Sequence, residues 1–185
     1  MRSTREIAQE FNPDARIVYV DNGPLVMTHA RALLNDAGVT TGHIEADLTD
    51  PGTLLDQARA VLDFTQPVAV MLMHVLGHIG DPARDDDRTA RTIVQAVKDA
   101  LPAGSVLVIS EIAGTGPAAD AALACYSQSA AIPYHPRRPS QIAGLFDGLQ
   151  LIEPGIVPIS RWQPDPSPFT PPAVPAWGGA GITRC

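Results

Sequence analysis

Several side chains able to do chemistry stand where an apolar run gives way to a turn. Asp21 and Asn22 follow Ile17–Val20 in the stretch ARIVYVDNGPLV, and Asp47 and Leu48 follow a shorter segment in ADLTDP. His74 and His78 lie within and just after PVAVMLMHVL, and Glu111 comes late in SVLVISEI. An ionised carboxylate is an acceptor only, so at the end of a buried strand it suits two donors such as the hydroxyls of a ribose. Residue type leaves two readings of Asp21 open: ribose acceptor, or cap of the turn that Asn22, Gly23 and Pro24 favour. Asp47 adds a second acid at the next strand end, able to accept from the exocyclic amine of adenine. Together the two tips point to an adenosine.

His74 sits inside an apolar run and reads as a core histidine with its hydrogen bonds satisfied. His78, in the loop Gly77–Asp81, is the candidate catalytic residue, because an imidazole exchanges a proton near neutral pH. Glu111 reads as facing a cleft or solvent, with a charge suited to holding a substrate amine. No G-x-S-x-G elbow surrounds Ser110, which argues against a hydrolase triad. The triplet Asp85, Asp86 and Asp87 reads as helix-capping charge rather than a metal site, and no metal is expected.

These residues need elements to position them. Apolar runs bounded by turn residues alternate with segments of helical period, the pattern of a parallel sheet covered by helices on both faces. Helices are expected over Ser3–Phe11, Pro24–Asp36, Pro51–Leu62, Asp87–Leu101, Ala118–Ala131 and Ser140–Phe146. Strands are expected over Arg16–Val20, Thr41–Ala46, Pro67–Leu76 and Ser105–Ile112, the third apolar on both faces as a central parallel strand must be. Gly148–Ile159 and Ala176–Thr183 read as a C-terminal antiparallel strand pair at the sheet edge. The fold class is α/β. In such sheets ligands bind beyond the carboxyl ends of the strands, which is where the acids and histidines above fall.

Bulk properties narrow the function. The chain has 185 residues, 45% of them hydrophobic, and a formal net charge of −7. That length suits one domain over 1–185, with the proline-rich stretch Pro164–Pro175 as a connector inside it. Thirteen scattered Lys and Arg residues argue against a nucleic-acid surface. The two cysteines make neither a disulfide framework nor a zinc motif. Neither a signal-peptide core nor a membrane span is apparent, so a cytoplasmic protein without membrane association is expected.

The run EIAQEFNPDARIVYVDNGPLVMTHARALL, then ADLTDP, LDFTQPVAVMLMHVLGHI and LPAGSVLVIS, resembles a family of bacterial class I S-adenosylmethionine-dependent methyltransferases with a Rossmann-like fold. The segments RRPSQIAGLFDGLQLIEPGIVPISRWQPD and WGGAGITR extend the resemblance over nearly the whole chain. It implies S-adenosyl-L-methionine as the cofactor, with Asp21 on the ribose and Asn22 beside it. Asp47 and Leu48 would border the adenine, and Met73–His78 would line the methyl-transfer mouth. A small-molecule acceptor is the expected partner.

The resemblance also implies a departure. Family members carry, ahead of the equivalent of Glu6–Phe11, a strand and a Gly-rich loop of the type DIGTG, and this sequence holds neither. That strand is the first and central one of the sheet. Its absence leaves two strand edges of unpaired N–H and C=O groups, each group costing about 1–3 kcal/mol if buried and unsatisfied. The edges close on each other, another chain supplies the strand, or the sequence is part of a longer protein, and the last is the expectation here. The competing functional expectation is a non-catalytic remnant or interaction module of the same fold. A nicotinamide-dependent oxidoreductase would need a G-x-G-x-x-G after a first strand, and none is present.

Overall fold

A computed structural model describes residues 3–34, 41–80, 87–113, 116–130, 132–164, 166 and 168–184. The chain divides into two compact units, Met1–Phe64 and Thr65–Cys185.

The first unit begins with α1 (Thr4–Phe11), opened by a reciprocal cap in which Ser3 Oγ accepts the Glu6 N–H and Glu6 Oε2 accepts the Ser3 N–H. β1 (Ile17–Asp21) and β2 (Thr41–Glu45) pair in parallel, with Asp21 opposite Glu45. Between them runs α2 (Pro24–Leu34), its proline at the first helical position where a missing N–H costs nothing. α3 (Pro51–Arg59) starts the same way, with the Asp50 carboxylate accepting the Thr53 N–H at 3.2 Å. Met27, Ile44, Leu55 and Ala58 form the buried centre of this unit. The expected strand Arg16–Val20 is present, but Val20 is exposed rather than buried.

The second unit holds a sheet in the order β3–β4–β7–β5, with β6 also paired to β7. Its strands are β3 (Ala69–Met73), β4 (Val106–Ile112), the two-residue β5 (Gln150–Leu151) and β6 (Val157–Pro158), and β7 (Ala176–Ile182). β3 and β4 are parallel, whereas β7 runs antiparallel to β4, β5 and β6. The helices are α4 (Arg88–Ala100), α5 (Pro117–Ser129) and α6 (Pro139–Gly144). On α4 the buried residues Ala90, Ile93, Val94 and Val97 recur at helical spacing and make one apolar stripe. Leu72, Leu76, Leu107, Ile109, Ile142 and Leu145 complete the core. No helix among the described residues is long and apolar enough to cross a membrane.

Two expectations change here. The antiparallel pair stands at the sheet edge as expected, with β7 inside the short outermost β5, but Gly148–Ile159 forms two brief strands rather than one. Glycines make the interior position possible. A Cβ on Gly178 would collide with the Ile109 carbonyl oxygen, and one on Gly179 would stand 2.8 Å from the Gly155 oxygen. β3 is shorter than Pro67–Leu76, ending at Met73 before a 3-10 turn over Leu76–His78. It is also less buried than a central strand, since Met71 and Met73 are each 48% exposed. Among the described residues β1 pairs only with β2, and β3 only with β4. Each therefore has one edge without a neighbour, which is why an apolar run such as Val70–Met73 stays half open.

Candidate active site

In the first unit the parallel pairing of β1 and β2 brings two acid-bearing strand ends to the same side of the sheet. Asp21 closes β1, and its backbone oxygen accepts the Ala46 N–H at 3.3 Å, tying the two tips together. Asp21 Oδ1 accepts the Gly23 N–H at 2.7 Å, the local turn that Asn22–Gly23–Pro24 favours. Oδ2 has no partner among the described residues, so half of the carboxylate stays available. Gly23 is needed at this point, because a Cβ there would stand 2.9 Å from Asp21 Oδ1. Asn22 is exposed beside it.

Asp47 lies two residues beyond β2 and is exposed, with Leu48 half-buried. Its Oδ1 accepts both the N–H and the hydroxyl of Thr49 at 2.8 Å each. The backbone and side-chain hydrogen bonds from Thr49 hold the Asp47 carboxyl below its ordinary range. Both tips thus keep a carboxylate with one oxygen engaged locally and the other without a partner among the described residues, an acceptor set that fits the hydroxyl and amine groups of an adenosine.

In the second unit the residues after β3 and β4 meet in a buried polar cluster. Glu111 is 0% exposed, which corrects its expected place at a cleft or in solvent. Glu111 Oε1 accepts the Leu76 N–H at 3.0 Å, and Oε2 accepts the Tyr134 hydroxyl at 2.7 Å. The same hydroxyl accepts the Ile112 N–H at 2.9 Å. Arg137, also fully buried, donates from Nε to Asp87 Oδ1 at 2.8 Å and from Nη2 to the Ile79 oxygen at 3.0 Å. Its Nη1 lies 3.6 Å from Glu111 Oε2. Asp87 stands at the N-cap position of α4 but makes no capping bond with its side chain, which it spends on Arg137. The other two aspartates of the triplet lie outside the described residues.

The cluster clamps the loop after β3 from behind. Glu111 and the His135 N–H, bonded to the Gly77 oxygen at 2.7 Å, hold Leu76 and Gly77 against the segment that carries Tyr134. The aromatic ring fills the space in which a side chain at position 77 would stand. His78, expected as the catalytic residue, is anchored there: its Nδ1 lies 3.1 Å from the Pro133 oxygen, so that nitrogen carries the proton, and its ring meets the Tyr134 ring edge-on at 5.0 Å.

His74 departs from the expected satisfied core residue. Its Nδ1 is buried without a hydrogen-bond partner, and its backbone lies in the left-handed region with φ of 58°. Sequence reasoning missed the Glu111–Tyr134–Arg137–Asp87 cluster as a unit. The available signal was charge inside apolar context, an acid in SVLVISEI and an Arg pair after an aromatic segment.

Burial raises the Glu111 pKa above its ordinary 4.5, against the pull of the Tyr134 hydroxyl, the Arg137 guanidinium and the backbone N–H groups of Leu76 and Gly77. Burial and the adjacent Glu111 push the Tyr134 phenol far up as well, so it remains a donor. A raised folded pKa means that Glu111 contributes fully below 4.5 and loses that contribution as pH rises through the folded value. The stability of the wild type relative to Glu111→Gln is expected to fall with rising pH in that window. Urea unfolding at a series of pH values checks this, and a flat difference would contradict it.

A groove of about 690 Å³ runs between α4 and α6, lined by Arg88, Arg91, Lys98 and Arg138 with Asp87 and Asp147. A hollow of about 380 Å³ adjoins Arg161 and the prolines around Phe169. Neither is lined by Asp21, Asn22, Asp47, Leu48 or His78. No cluster of His, Cys, Asp and Glu suited to a metal ion occurs among the described residues.

Residues 2–184 match the model of the S-adenosyl methyltransferase family. The chain is similar to a protein of Thermobifida fusca YX described as a candidate methyltransferase, with 32% identity and a TM-score of 0.87 over 100% of this chain and 69% of the other. A protein of the duf574 family from Streptomyces avermitilis MA-4680 shows 32% identity and a TM-score of 0.82 over 99% of this chain and 72% of the other. The N-methyltransferase NodS from Bradyrhizobium japonicum WM9, in its complex with S-adenosyl-L-homocysteine, shares the fold at 14% identity and a TM-score of 0.55, over 95% of this chain and 71% of that one. No curated protein matches the chain in sequence. A family match over nearly every residue, with the Rossmann-like α/β arrangement of methyltransferases around it, shows that this chain belongs to the S-adenosyl methyltransferase family, enzymes that use S-adenosylmethionine as methyl donor.

Proposed function

We propose that this protein methylates a small-molecule acceptor, with the adenosine of the donor held at the tips of β1 and β2. The observation that carries the reading is the pair of half-engaged carboxylates, Asp21 and Asp47, at the ends of parallel neighbours. Asp21 Oδ2 accepts from a ribose hydroxyl, while Asn22 adjoins the sugar. Asp47 accepts from the adenine amine, and Leu48 offers apolar contact to the ring. The donor supplies an electrophilic methyl group on a sulfonium. In the second unit the buried Glu111 cluster keeps the loop Met73–His78, the segment proposed to meet the acceptor, in place. Positioning supplies much of the acceleration, since holding two reactants in near-attack geometry is worth about 7–11 kcal/mol. The continuous family match supports reading residues 1–185 as one methyltransferase domain.

A small acceptor suits a chain of net charge −7, because a nucleic acid would meet like charge. The test is to incubate the protein with methyl-labelled donor and a protein-free extract of bacterial small molecules, and to follow the label by mass spectrometry. Label entering one or a few small products is expected. Label that enters only added RNA, DNA or protein would overturn the proposal.

A further inference from the structure

The fold gathers in one place cations that the sequence scatters. Four of the thirteen Lys and Arg residues, Arg88, Arg91, Lys98 and Arg138, line the groove of about 690 Å³ between α4 and α6, wholly inside the second unit. Arg88, Arg91 and Lys98 follow one another at helical spacing along α4, and at about 1.5 Å per residue they span roughly 15 Å. Arg138, immediately before α6, adds a fourth charge. Helix stability does not explain this placement. The first turn of α4 holds no acid, and Arg88 stands at its first position, where the helix dipole disfavours a cation.

The acids beside the groove leave much of this charge uncompensated. Asp87 lines it too, but the buried Arg137 already binds Asp87 Oδ1 at 2.8 Å, and Arg91 Nε lies 3.3 Å from Oδ2. Lys98 donates to the backbone oxygen of Asp147 at 2.9 Å, not to its carboxylate. Neither Arg88 nor Arg138 has an acidic partner among the described residues. The Arg91 guanidinium lies against α6, since a Cβ on Gly144 would stand 3.1 Å from both of its Nη atoms. Burial holds the Lys98 pKa below its ordinary value; Asp147 and Asp99 pull it up, and Arg91 pushes it further down. An anion among these groups would relieve that repulsion.

We propose that this groove binds an oligophosphate, either free or as the tail of a nucleotide. Three of its four cations are guanidinium groups, whose planar fork matches pairs of phosphate oxygens. Charges spread over about three helical turns call for more than one phosphoryl group, because a single phosphate or carboxylate cannot reach both ends. The volume falls within the roughly 300–1,000 Å³ usual for small-molecule sites, which favours such a ligand over the acidic surface of another protein. On a chain of net charge −7 the same cations draw an incoming anion to this groove in particular.

The test titrates the protein with sodium triphosphate by calorimetry at low salt, without divalent cations, beside a variant carrying Arg88→Gln and Arg138→Gln. Both side chains are exposed and outside the core, so the variant is expected to keep the melting midpoint of the wild type. One triphosphate is expected to bind per chain, with orthophosphate roughly tenfold weaker or more, and the double substitution is expected to weaken triphosphate about 10–100-fold. Arg59→Gln with Arg184→Gln removes the same charge outside the groove and is expected to leave the affinity nearly unchanged. Uridine triphosphate distinguishes the two sources. Binding at least as tight as triphosphate, and lost in the groove variant, assigns the groove to a nucleotide tail; weaker binding assigns it to the free oligophosphate. No heat up to millimolar triphosphate, orthophosphate that binds as tightly, or an equal loss in the two double variants would overturn the proposal. A glutamate-rich peptide that binds more tightly and displaces triphosphate would overturn it in favour of an acidic protein partner.

Discussion

Arg137→Ala is expected to destabilise the second unit by about 3–5 kcal/mol, because it strands two buried carboxylates that share one guanidinium. Asp87 and Glu111 are each less than 10% exposed, and water cannot replace the cation. Arg91, with Nε 3.3 Å from Asp87 Oδ2, is half-exposed and compensates for only part of the loss. A change of that size is a large share of the roughly 5–15 kcal/mol that holds a typical domain together. Chemical denaturation followed by circular dichroism checks it. Replacing the ions together, as Arg137→Met with Asp87→Asn and Glu111→Gln, is expected to recover much of the stability, since no uncompensated charge then remains. A single Arg137→Ala within about 1 kcal/mol of the wild type would show that the cluster is solvated and not a clamp.

Gly77→Ala is the second large effect. The backbone at Gly77 is not left-handed, so alanine would ordinarily add a little stability by restricting the unfolded chain. Here the added Cβ falls on the Tyr134 ring, against Cζ. The ring cannot retreat without releasing Glu111 and the Ile112 N–H. Overpacking of about 1–3 kcal/mol is expected, and a further 1–3 kcal/mol, roughly, where the carboxylate loses its donor. The comparison that isolates the cause is Gly77→Ala in a Tyr134→Ala background, where the penalty is expected to vanish. An equal penalty in both backgrounds, read from denaturant midpoints, would show that the ring is not the obstacle.

Much of this architecture was legible from pattern. The capping pair Ser3 and Glu6, the prolines that open α2 and α3, and the helical stripe Ala90–Val97 are local signals, and the elements they announce stand within a few residues of the expected bounds. The strand ends were legible for the same reason: Asp21 closes β1 and Asp47 follows β2. What pattern hides is any arrangement decided by residues distant in the chain. Glu111 finds its partners 23 and 26 positions onward, at Tyr134 and Arg137, so a strand-end acid that looked solvent-facing is sealed inside. The apolar run Val68–Leu76 shows no sign of the turn at His74, because hydrophobicity records burial and not backbone hand. The edge pair was legible too, but not the reason for the glycines of WGGAGI, which let β7 fit between β4 and β5 where side chains would collide with neighbouring backbone.

The most direct test of the central claim is isothermal titration of the protein with S-adenosylhomocysteine, run on the wild type and on Asp21→Ala. One molecule is expected to bind per chain, and removing the carboxylate is expected to weaken binding about 10–100-fold, the value of hydrogen bonds to a charged group. A wild type that gives no heat up to millimolar ligand, or an Asp21→Ala variant that binds as tightly as the wild type, would contradict the account.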